Sequence, residues 1–534
     1  MVASNPPIDN ESTVSSMALD EKVGQLFVAG FDGTTPTAEI EGLIAERRLG
    51  GIIYFSRNVD SPDQLRDLSR TLQGFVPDDA PPLLVSIDQE GGRVARLAWG
   101  TEQPSAMAFG ATADPALARH AGEAVGHELR SLGIDVNLAP VLDVNNNSDN
   151  PVIGVRSFGE RPETVAELGT AYADGLQGAS VVACGKHFPG HGDTTVDSHR
   201  DLPVIDHDRD RLDRVELRPF RRAIDAGIDA VMTTHVVFPT IVADPERPAT
   251  LSPRVVTGLL RKQLGFDGLV FTDCMEMDAI ADGVGTVEGC VQAVEAGCDQ
   301  ICVSHTPAKQ RAAIDAVVAA VESRRLSESR IDESVRRVLR AKRSYGAGAV
   351  GDDAEWVAAA TDCRAVARTV AERSVTLVRD DADNVPLSQD SVQVLEFEGS
   401  CGSLAEETRD DGGAFAKALA ASGVAVDASV LDAGESPCDD LAATSEDLIV
   451  VRTSDVAANP EQAAVVRDRL ETDANVVVVA TASPYDIAAF PAVGTYLTTY
   501  DGTPPSLATA ADVLVGRWEP TGRLPVSTSD DDSR

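Results

Sequence analysis

Short apolar runs alternate with amphipathic stretches from residue 25 to residue 343. Short runs rich in β-branched residues are typical of buried strands, and the pattern predicts eight of them, at 25–31, 50–55, 82–88, 136–144, 181–187, 230–237, 268–273 and 300–304. Between and after these runs, apolar positions recur every three or four residues, which is the spacing of an amphipathic helix. This second pattern predicts helices at 62–76, 114–132, 161–177, 213–226, 287–297, 307–325 and 331–343.

Eight strands that alternate with helices are the signature of a (β/α)8 barrel of the TIM type. A doubly wound open sheet is the alternative that the periodicity leaves open. No G-x-G-x-x-G segment follows the first predicted strand, as the dinucleotide-binding form of that sheet would require. The sequence therefore favours an α/β fold built on a (β/α)8 barrel.

A Gly- and Ala-rich segment, 344–353, interrupts the periodicity, and a second α/β pattern follows it. Its predicted strands lie at 375–378, 392–397, 424–430, 448–451 and 476–480. We predict a catalytic barrel over 1–345, a linker over 346–358 and a smaller α/β sandwich domain over 359–534. This second part contains no histidine, so we expect it to have a structural role or to form the rim of a substrate site.

The net charge of −39 comes from acidic residues that are spread along the whole chain, and only six lysines oppose them beside many arginines. Such a chain repels itself at low ionic strength, and salt screens that repulsion. This charge pattern is typical of proteins adapted to a salt-rich cytoplasm, as in halophilic archaea. It also disfavours nucleic-acid binding, because no basic patch is present.

No apolar stretch approaches the roughly twenty residues that a membrane span requires. The first ten residues lack the basic start and apolar core of a signal peptide, so a cytoplasmic location without a membrane partner is expected. The eight cysteines include no C-x-x-C pair and fall mostly in apolar surroundings. We expect buried free thiols, and we predict neither a metal nor a cofactor.

The densest candidate chemistry follows the fifth predicted strand, in the segment 185–203. It contains three glycines, a lysine, three histidines and three aspartates, and its glycines and prolines break any helix. A histidine-rich surface loop is the alternative. All eight histidines lie between His120 and His305, however, and four of them fall within 187–207, which favours a catalytic loop.

Polar residues also follow the other predicted barrel strands. Asp88 lies at the end of the third predicted strand, Asp143 near the end of the fourth and Asp273 at the end of the seventh. His235 lies in the sixth predicted strand. One acidic residue at a strand end is often a helix cap, but five such ends around a barrel predict a pocket, because TIM barrels carry their chemistry there. Cys274, beside Asp273, is an alternative nucleophile.

Several motifs together resemble glycoside hydrolase family 3. They are DQEGGRV at 88–94, RSFG at 156–159, KHFPGHG at 186–192, DSH at 197–199, PATLS at 248–252 and TD at 272–273. The DSH element is similar to the β-N-acetylglucosaminidase (NagZ-type) branch. The resemblance continues past the linker through SPYD at 483–486 and GRLPV at 522–526.

The resemblance implies a retaining, exo-acting hydrolase that releases terminal β-linked N-acetylglucosamine from a small carbohydrate. In it Asp273 would be the nucleophile, and His199, oriented by Asp197, the general acid and base. An imidazole titrates near neutrality, and Asp197 and His199 can point the same way if their segment is extended. Sugar hydroxyls would be held by Asp88, Arg96, Arg156, Lys186 and His187, with Arg96 and His191 equally suited to a supporting role.

Three rival functions stay open at this point. A β-glucosidase or β-xylosidase of the same family would usually take its acid from a glutamate of the second domain. A phosphorylase is conceivable because a neutral imidazole does not repel phosphate as a carboxylate would. A binding module without turnover would not need Asp273 and the Asp197–His199 pair intact. The sequence predicts neither the aglycone nor the oligomeric state.

Overall fold

The computed structural model describes residues 10–198, 201–242, 244–397, 406, 412–431, 448–472 and 474–528. Its larger sheet has eight strands, all paired in parallel, in the spatial order β8-β1-β2-β3-β4-β5-β6-β7. A bridge between Phe271 and Gln300 brings β7 beside β8, so the sheet closes into a barrel. The predicted (β/α)8 fold is confirmed. The strands are Phe27–Ala29, Gly51–Tyr54, Leu84–Ile87, Val136–Asn137, Val182–Phe188, Ala230–Thr233, Leu269–Thr272 and Ile301–Val303, β1 to β8 in chain order.

Apolar side chains fill the inside of the barrel. Alternate strand positions face inward, among them Val28, Ile53, Leu84, Val136, Val182, Met232 and Phe271. The positions between them, such as Ala29, Ile52 and Val85, belong to the layer between strands and surrounding helices. Because the interior is packed, a ligand site can lie only above it, where the loops leave the strands.

Seventeen α-helices lie in the described part of the chain. Ser61 and Asp114 begin α4 and α6 by accepting backbone N–H groups, and each precedes a proline, which has no N–H to lose. The predicted helix 213–226 is two helices, α8 and α9. None of these helices is both long and apolar enough to cross a bilayer. In chain order they are Asn10–Ser16, Leu19–Gly24, Ala38–Arg47, Pro62–Gly74, Ala106–Thr112, Pro115–Ser131, Pro162–Gly178, Arg209–Arg214, Leu217–Ala226, Asp278–Ala281, Thr286–Ala296, Pro307–Glu322, Glu328–Ser344, Asp353–Ser374, Ala414–Ala421, Pro460–Glu471 and Pro504–Leu514, α1 to α17.

Shorter helical turns connect these elements. A π-helical segment, Arg254–Gln263, lies between β6 and β7 and was not among the predicted helices. The 3₁₀ turns are Ser56–Asn58, Gly154–Arg156, Ala249–Leu251 and Pro484–Ala489.

A second sheet of six strands follows the barrel, in the order β9-β14-β13-β12-β10-β11. Only its edge strand β9 runs antiparallel to its neighbour. Residues of α15 and α17 share one apolar core with one face of the sheet, and residues of α16 share another with the opposite face, so the predicted α/β sandwich is confirmed. The strands are Thr376–Asp380, Ser391–Phe397, Ala425–Leu431, Leu448–Thr453, Asn475–Ala480 and Thr495–Thr498, β9 to β14.

Helix α14 connects the two sheets and begins inside the predicted linker. Asp352 caps it, and the Glu355 side chain returns a hydrogen bond to the Asp352 N–H. The helix packs against α6 of the barrel and α17 of the second sheet. The boundaries 1–345, 346–358 and 359–534 stay a prediction.

Candidate active site

A cavity of about 590 Å³ lies at the carboxyl ends of the barrel strands. Six of the eight predicted site residues line it: Asp88, Arg96, Arg156, Lys186, His187 and Asp273. Asp197 lies on the loop after β5, and its neighbour Ser198 lines the cavity. His199 lies outside the described residues.

A two-stranded hairpin, Gln89–Gly91 with Val94–Ala95, directly follows β3. Its turn uses Gly91 and Gly92, both at positive φ. A Cβ at Gly91 would lie 2.6 Å from the Pro104 carbonyl oxygen, so glycine is required there. The hairpin follows Asp88 directly and carries Glu90, and both carboxylates line the cavity.

Five charged side chains form one buried network on this side of the cavity. Lys186 Nζ lies 2.7 Å from Asp88 Oδ1 and 2.6 Å from Glu90 Oε1. Arg156 donates two hydrogen bonds of 2.8 Å to the Glu90 carboxylate, and Arg96 lies 3.7 Å from Asp88. Each carboxylate therefore has a cationic partner, which the burial of such charges requires.

Glu90 is a member of this network that sequence reasoning missed. Burial alone would raise the pKa of Glu90, but the charges of Arg156 and Lys186 overcome it and hold that pKa well below its usual range. Burial likewise opposes the charge of Lys186, while Asp88 and Glu90 raise its pKa. The only sequence signal for Glu90 was its place inside the DQEGGRV motif.

Asp273 directly follows β7 and is half-buried at the cavity wall. The backbone N–H of Cys274 donates to its Oδ1 over 2.7 Å. Burial raises the pKa of the Cys274 thiol to about 11, so that thiol is protonated near neutral pH. Because the thiolate is the nucleophilic form of cysteine, the carboxylate is the better nucleophile of the two.

Asp143 is fully buried and holds two histidines of the site through hydrogen bonds. It accepts hydrogen bonds from the backbone N–H of His187 at 3.2 Å, from His187 Nδ1 at 2.7 Å and from the backbone N–H of His191 at 2.6 Å. Burial would raise the pKa of Asp143, but the His187 charge and hydrogen bond lower it. Asp143 thus orients His187 and the start of the loop after β5.

Asp197 and Asp201 lie on the loop after β5. The Asp201 N–H donates to the Asp197 carbonyl over 3.1 Å. That Asp197 and His199 point the same way stays a prediction, because His199 lies outside the described residues. Asp197 itself is buried.

Among the described residues, one side chain from the second part of the chain reaches the cavity. Glu406 lines it and lies 3.1 Å from Arg93 Nη2, and Asp455 lies 3.4 Å from Arg93 Nη1. Arg93 is the arginine of the DQEGGRV motif. No sequence pattern pointed to Glu406, because its place depends on how the second sheet packs on the barrel.

Three side chains in the described part of the chain have a spacing that could hold a metal ion. Asp193, His207 and Glu216 bring ligand atoms within 4.8 Å of one another. Arg211 Nη2 lies 3.5 Å from Asp193 and 3.2 Å from Glu216, so a guanidinium already supplies positive charge there. None of the four lines the cavity, and the absence of a metal stays a prediction.

Comparison with known proteins places the barrel in one family. The model of the glycosyl hydrolase family 3 N-terminal domain matches residues 18–341. The beta-hexosaminidase A of Pseudoalteromonas piscicida is 38% identical over 335 residues, which cover 58% of this chain and 56% of that protein. The beta-hexosaminidase of Alkalilimnicola ehrlichii is 39% identical over 285 residues, covering 52% of this chain and 80% of that one.

A solved structure is similar over both sheets. The glycoside hydrolase family 3 beta-N-acetylglucosaminidase of Paenibacillus sp. FPU-7 superimposes with a TM-score of 0.89 and 42% identity. The alignment covers 96% of this chain and 99% of that one. The second sheet is therefore shared with that protein as well as the barrel.

Proposed function

Because the chain belongs to glycosyl hydrolase family 3, we propose that it is a retaining, exo-acting glycosidase that releases terminal β-linked N-acetylglucosamine. The names of its relatives support this sugar. The observation that carries the proposal is one cavity that contains both Asp273 and the buried network of Asp88, Lys186, Glu90 and Arg156.

Asp273 acts as the nucleophile. Its carboxylate oxygen forms a bond to the anomeric carbon while the bond from that carbon to the leaving oxygen breaks, which gives a glycosyl-aspartate. In the second step a water oxygen bonds to the anomeric carbon and the aspartate leaves. Each step inverts the configuration at the anomeric carbon, so the released sugar retains the configuration of the substrate. The half-buried position of Asp273 at a strand end supports this role, because it is accessible from the cavity yet held by a rigid strand.

His199 acts as the general acid and then as the base, and Asp197 orients its imidazole. The proton goes from the imidazole to the leaving oxygen in the first step, and the attacking water returns one in the second. Support comes from position: Asp197 is buried, and Ser198 between the two residues lines the cavity. A carboxylate partner would hold the required tautomer.

The remaining charged residues hold the sugar hydroxyls. Lys186, Arg156 and Arg96 supply N–H donors, and Asp88 supplies acceptor oxygens, so both kinds of partner for a hydroxyl line one cavity. His187 has its Nδ1 against Asp143, which leaves Nε2 as the nitrogen for a substrate. Because these side chains are already held in place by their partners, they do not need to reorganise when the sugar binds.

The test compares two aryl glycosides under the same high-salt conditions. We expect 4-nitrophenyl β-N-acetylglucosaminide to be cleaved well ahead of the matching β-glucoside, and proton NMR to detect the β-anomer as the first product. Equal or faster turnover of the β-glucoside would contradict the proposed sugar. The α-anomer as first product would contradict the double displacement.

A β-glucosidase or β-xylosidase of the same family is the second candidate, and Glu406 is the observation that favours it. In that class the acid is usually a glutamate of the second domain, and Glu406 lines the cavity. Its ion pair with Arg93 argues the other way, because an ion pair needs the carboxylate and an acid needs the proton. Under our proposal, Glu406→Gln retains a leaving-group dependence like that of the wild type.

Phosphate as an acceptor is a further form of the same proposal. A neutral histidine base would not repel an anion, so phosphate could replace water in the second step and give a sugar 1-phosphate. Adding phosphate and following the products by phosphorus NMR separates a phosphorylase from a hydrolase.

The cellular setting is also part of the proposal. The net charge of −39 supports a salt-rich, halophilic host and disfavours nucleic-acid and anionic membrane partners. The six described cysteines are all free thiols, which supports a reducing cytoplasm rather than an oxidising compartment.

A further inference from the structure

The loop after β5 is attached to the barrel through the same carboxylate that orients a sugar-binding residue. Asp143 accepts from His187 Nδ1 at 2.7 Å and from the His191 backbone N–H at 2.6 Å. His187 lines the cavity, and His191 begins the part of the loop that leads to Asp197. The two rings also meet edge to face, with centroids 5.9 Å apart. Any shift of this carboxylate would therefore displace both histidines.

The His191 ring extends the connection along the loop. Its Nε2 shares a hydrogen bond of 3.0 Å with Ser198 Oγ, and its Nδ1 shares one of 3.1 Å with Thr194 Oγ1. Asn150 donates to the carbonyls of His191 and Gly192, each over 2.9 Å. His191, Thr194 and Ser198 are all buried, so bulk water competes little for these bonds.

The His191 ring is neutral in this environment. Burial, reinforced by the neighbouring His187, lowers the pKa of His191 to about 4. A neutral imidazole has one donor nitrogen and one acceptor nitrogen. One hydroxyl therefore donates to the ring and the other accepts from it.

We propose that the chain Asp143–His191–Ser198 fixes the acid/base pair relative to the sugar, which makes His191 and Ser198 positioning residues of the acid step. Ser198 lies between Asp197 and His199 in the sequence, so the hydrogen bond to its Oγ anchors the chain at the position between the two residues. The same Asp143 orients His187 on the substrate side. The inference rests on the proposed function, because it assumes that Asp197 and His199 transfer the proton.

The size of the effect follows from one neutral hydrogen bond. Such a bond contributes about 1 kcal/mol, which corresponds to roughly a fivefold change in rate if it is lost only in the transition state. Small displacements of a catalytic group are costly in rate. We therefore expect Ser198→Ala to reduce kcat/KM about fivefold to tenfold for a glycoside with a poor leaving group.

The experiment compares leaving groups. For a 2,4-dinitrophenyl glycoside, which needs little protonation, Ser198→Ala should change the rate of glycosylation less than about twofold. Ser198→Thr, which retains the hydroxyl, should cleave the glycoside with the poor leaving group at near the wild-type rate. Ser86 carries a buried hydroxyl that donates to the Ile52 carbonyl inside the barrel, so Ser86→Ala is the matched control and should show no such split. Equal losses on both leaving groups, or no loss, would overturn the proposal.

A second measurement does not depend on turnover. Hydrogen exchange of the peptide 189–203 should be faster in Ser198→Ala than in the wild type, while peptides of β2 and β3 stay unchanged. If the wild type cleaves neither glycoside, the proposed function fails, but exchange still tests the attachment of the loop. Unchanged exchange in this peptide would overturn the attachment itself. If Ser198→Ala does not fold, Thr194→Val removes the other partner of the ring and is judged by the same two criteria.

Discussion

Arg156 donates two parallel hydrogen bonds to Glu90, through Nε and Nη2, and each is 2.8 Å long. Both side chains are almost fully buried, and Lys186 adds a third contact to the same carboxylate. Glu90 therefore neutralises two cations that would otherwise be buried without enough negative charge beside them. Its carboxylate raises the pKa of both Arg156 and Lys186 and so helps to keep both side chains charged beside the cavity.

The first prediction is that Glu90→Gln lowers the free energy of unfolding more than a comparable substitution at the surface does. Removing one partner of a buried ion pair costs about 3–5 kcal/mol, because the remaining charge stays buried. Urea unfolding at constant potassium chloride measures the change. Glu288→Gln is the control, since Glu288 pairs with Arg325 at the surface and such pairs contribute less than about 1 kcal/mol.

The pH dependence of that difference follows from the depressed pKa of Glu90. A group whose folded pKa is lowered stabilises the protein above its unfolded pKa, and the stabilisation is lost as the pH falls toward the folded value. The difference between wild type and Glu90→Gln should be constant above about pH 5 and shrink progressively below about pH 4.3. A difference that grows in acid would contradict the assignment.

The second prediction is that Asp273→Ala folds normally and is nearly inactive. The residue lies after the buried strand β7 and is only half-buried, so its loss should affect chemistry rather than packing. We expect turnover to fall by more than about a thousandfold. Asp282→Ala, an exposed aspartate nearby in the chain, is the control. A 2-fluoro glycoside should label Asp273, and a label on Asp88, Asp143 or Glu276 would contradict the prediction.

The third prediction is that Cys274→Ser remains active. Burial holds the pKa of that thiol at about 11, so iodoacetamide near neutral pH should modify it slowly. Mass spectrometry of the alkylated wild type measures this directly. A folded Cys274→Ser protein without activity would contradict the prediction and support Cys274 as the nucleophile.

The barrel was predictable because its strands are short apolar runs between helical patterns. The ends of those strands were also predictable, since acidic residues there interrupt the apolar runs, as Asp88 and Asp273 do. The strand β14 was missed because its apolar run is only Tyr496-Leu497, between threonines. Helix α14 was placed partly in a linker because glycine- and alanine-rich residues precede its cap.

The contacts of the site were less predictable than its members. Glu90 and Asp143 act by neutralising and orienting other side chains, and such roles depend on which loops meet. Glu406 reaches the cavity only through the packing of the second sheet beside Arg93. Tertiary contacts of this kind leave no periodic pattern in the sequence.

The fourth prediction concerns salt. With a net charge of −39, self-repulsion should weaken the fold until ions screen it, and the screening length falls from about 10 Å at 0.1 M to about 3 Å at 1 M. We expect the thermal midpoint in 1 M potassium chloride to exceed that in 0.1 M by more than about 5 °C. A midpoint that is the same in both would contradict adaptation to a salt-rich cytoplasm.

The last prediction concerns the acid. If His199 donates the proton, His199→Ala should lose little rate of glycosylation on a glycoside with a very acidic leaving group, because that oxygen departs without a proton. With a poor leaving group the loss should be about a hundredfold to ten-thousandfold, which is the usual contribution of general acid–base catalysis. Asp197→Ala should give a weaker version of the same pattern, since the imidazole remains but its orienting carboxylate is gone.

Single-turnover rates on a series of aryl glycosides measure how the rate of each variant depends on the leaving group. If both kinds of leaving group slow equally in His199→Ala, the histidine is not the acid, and Glu406, a carboxylate from the second part of the chain that lines the cavity, becomes the next residue to replace.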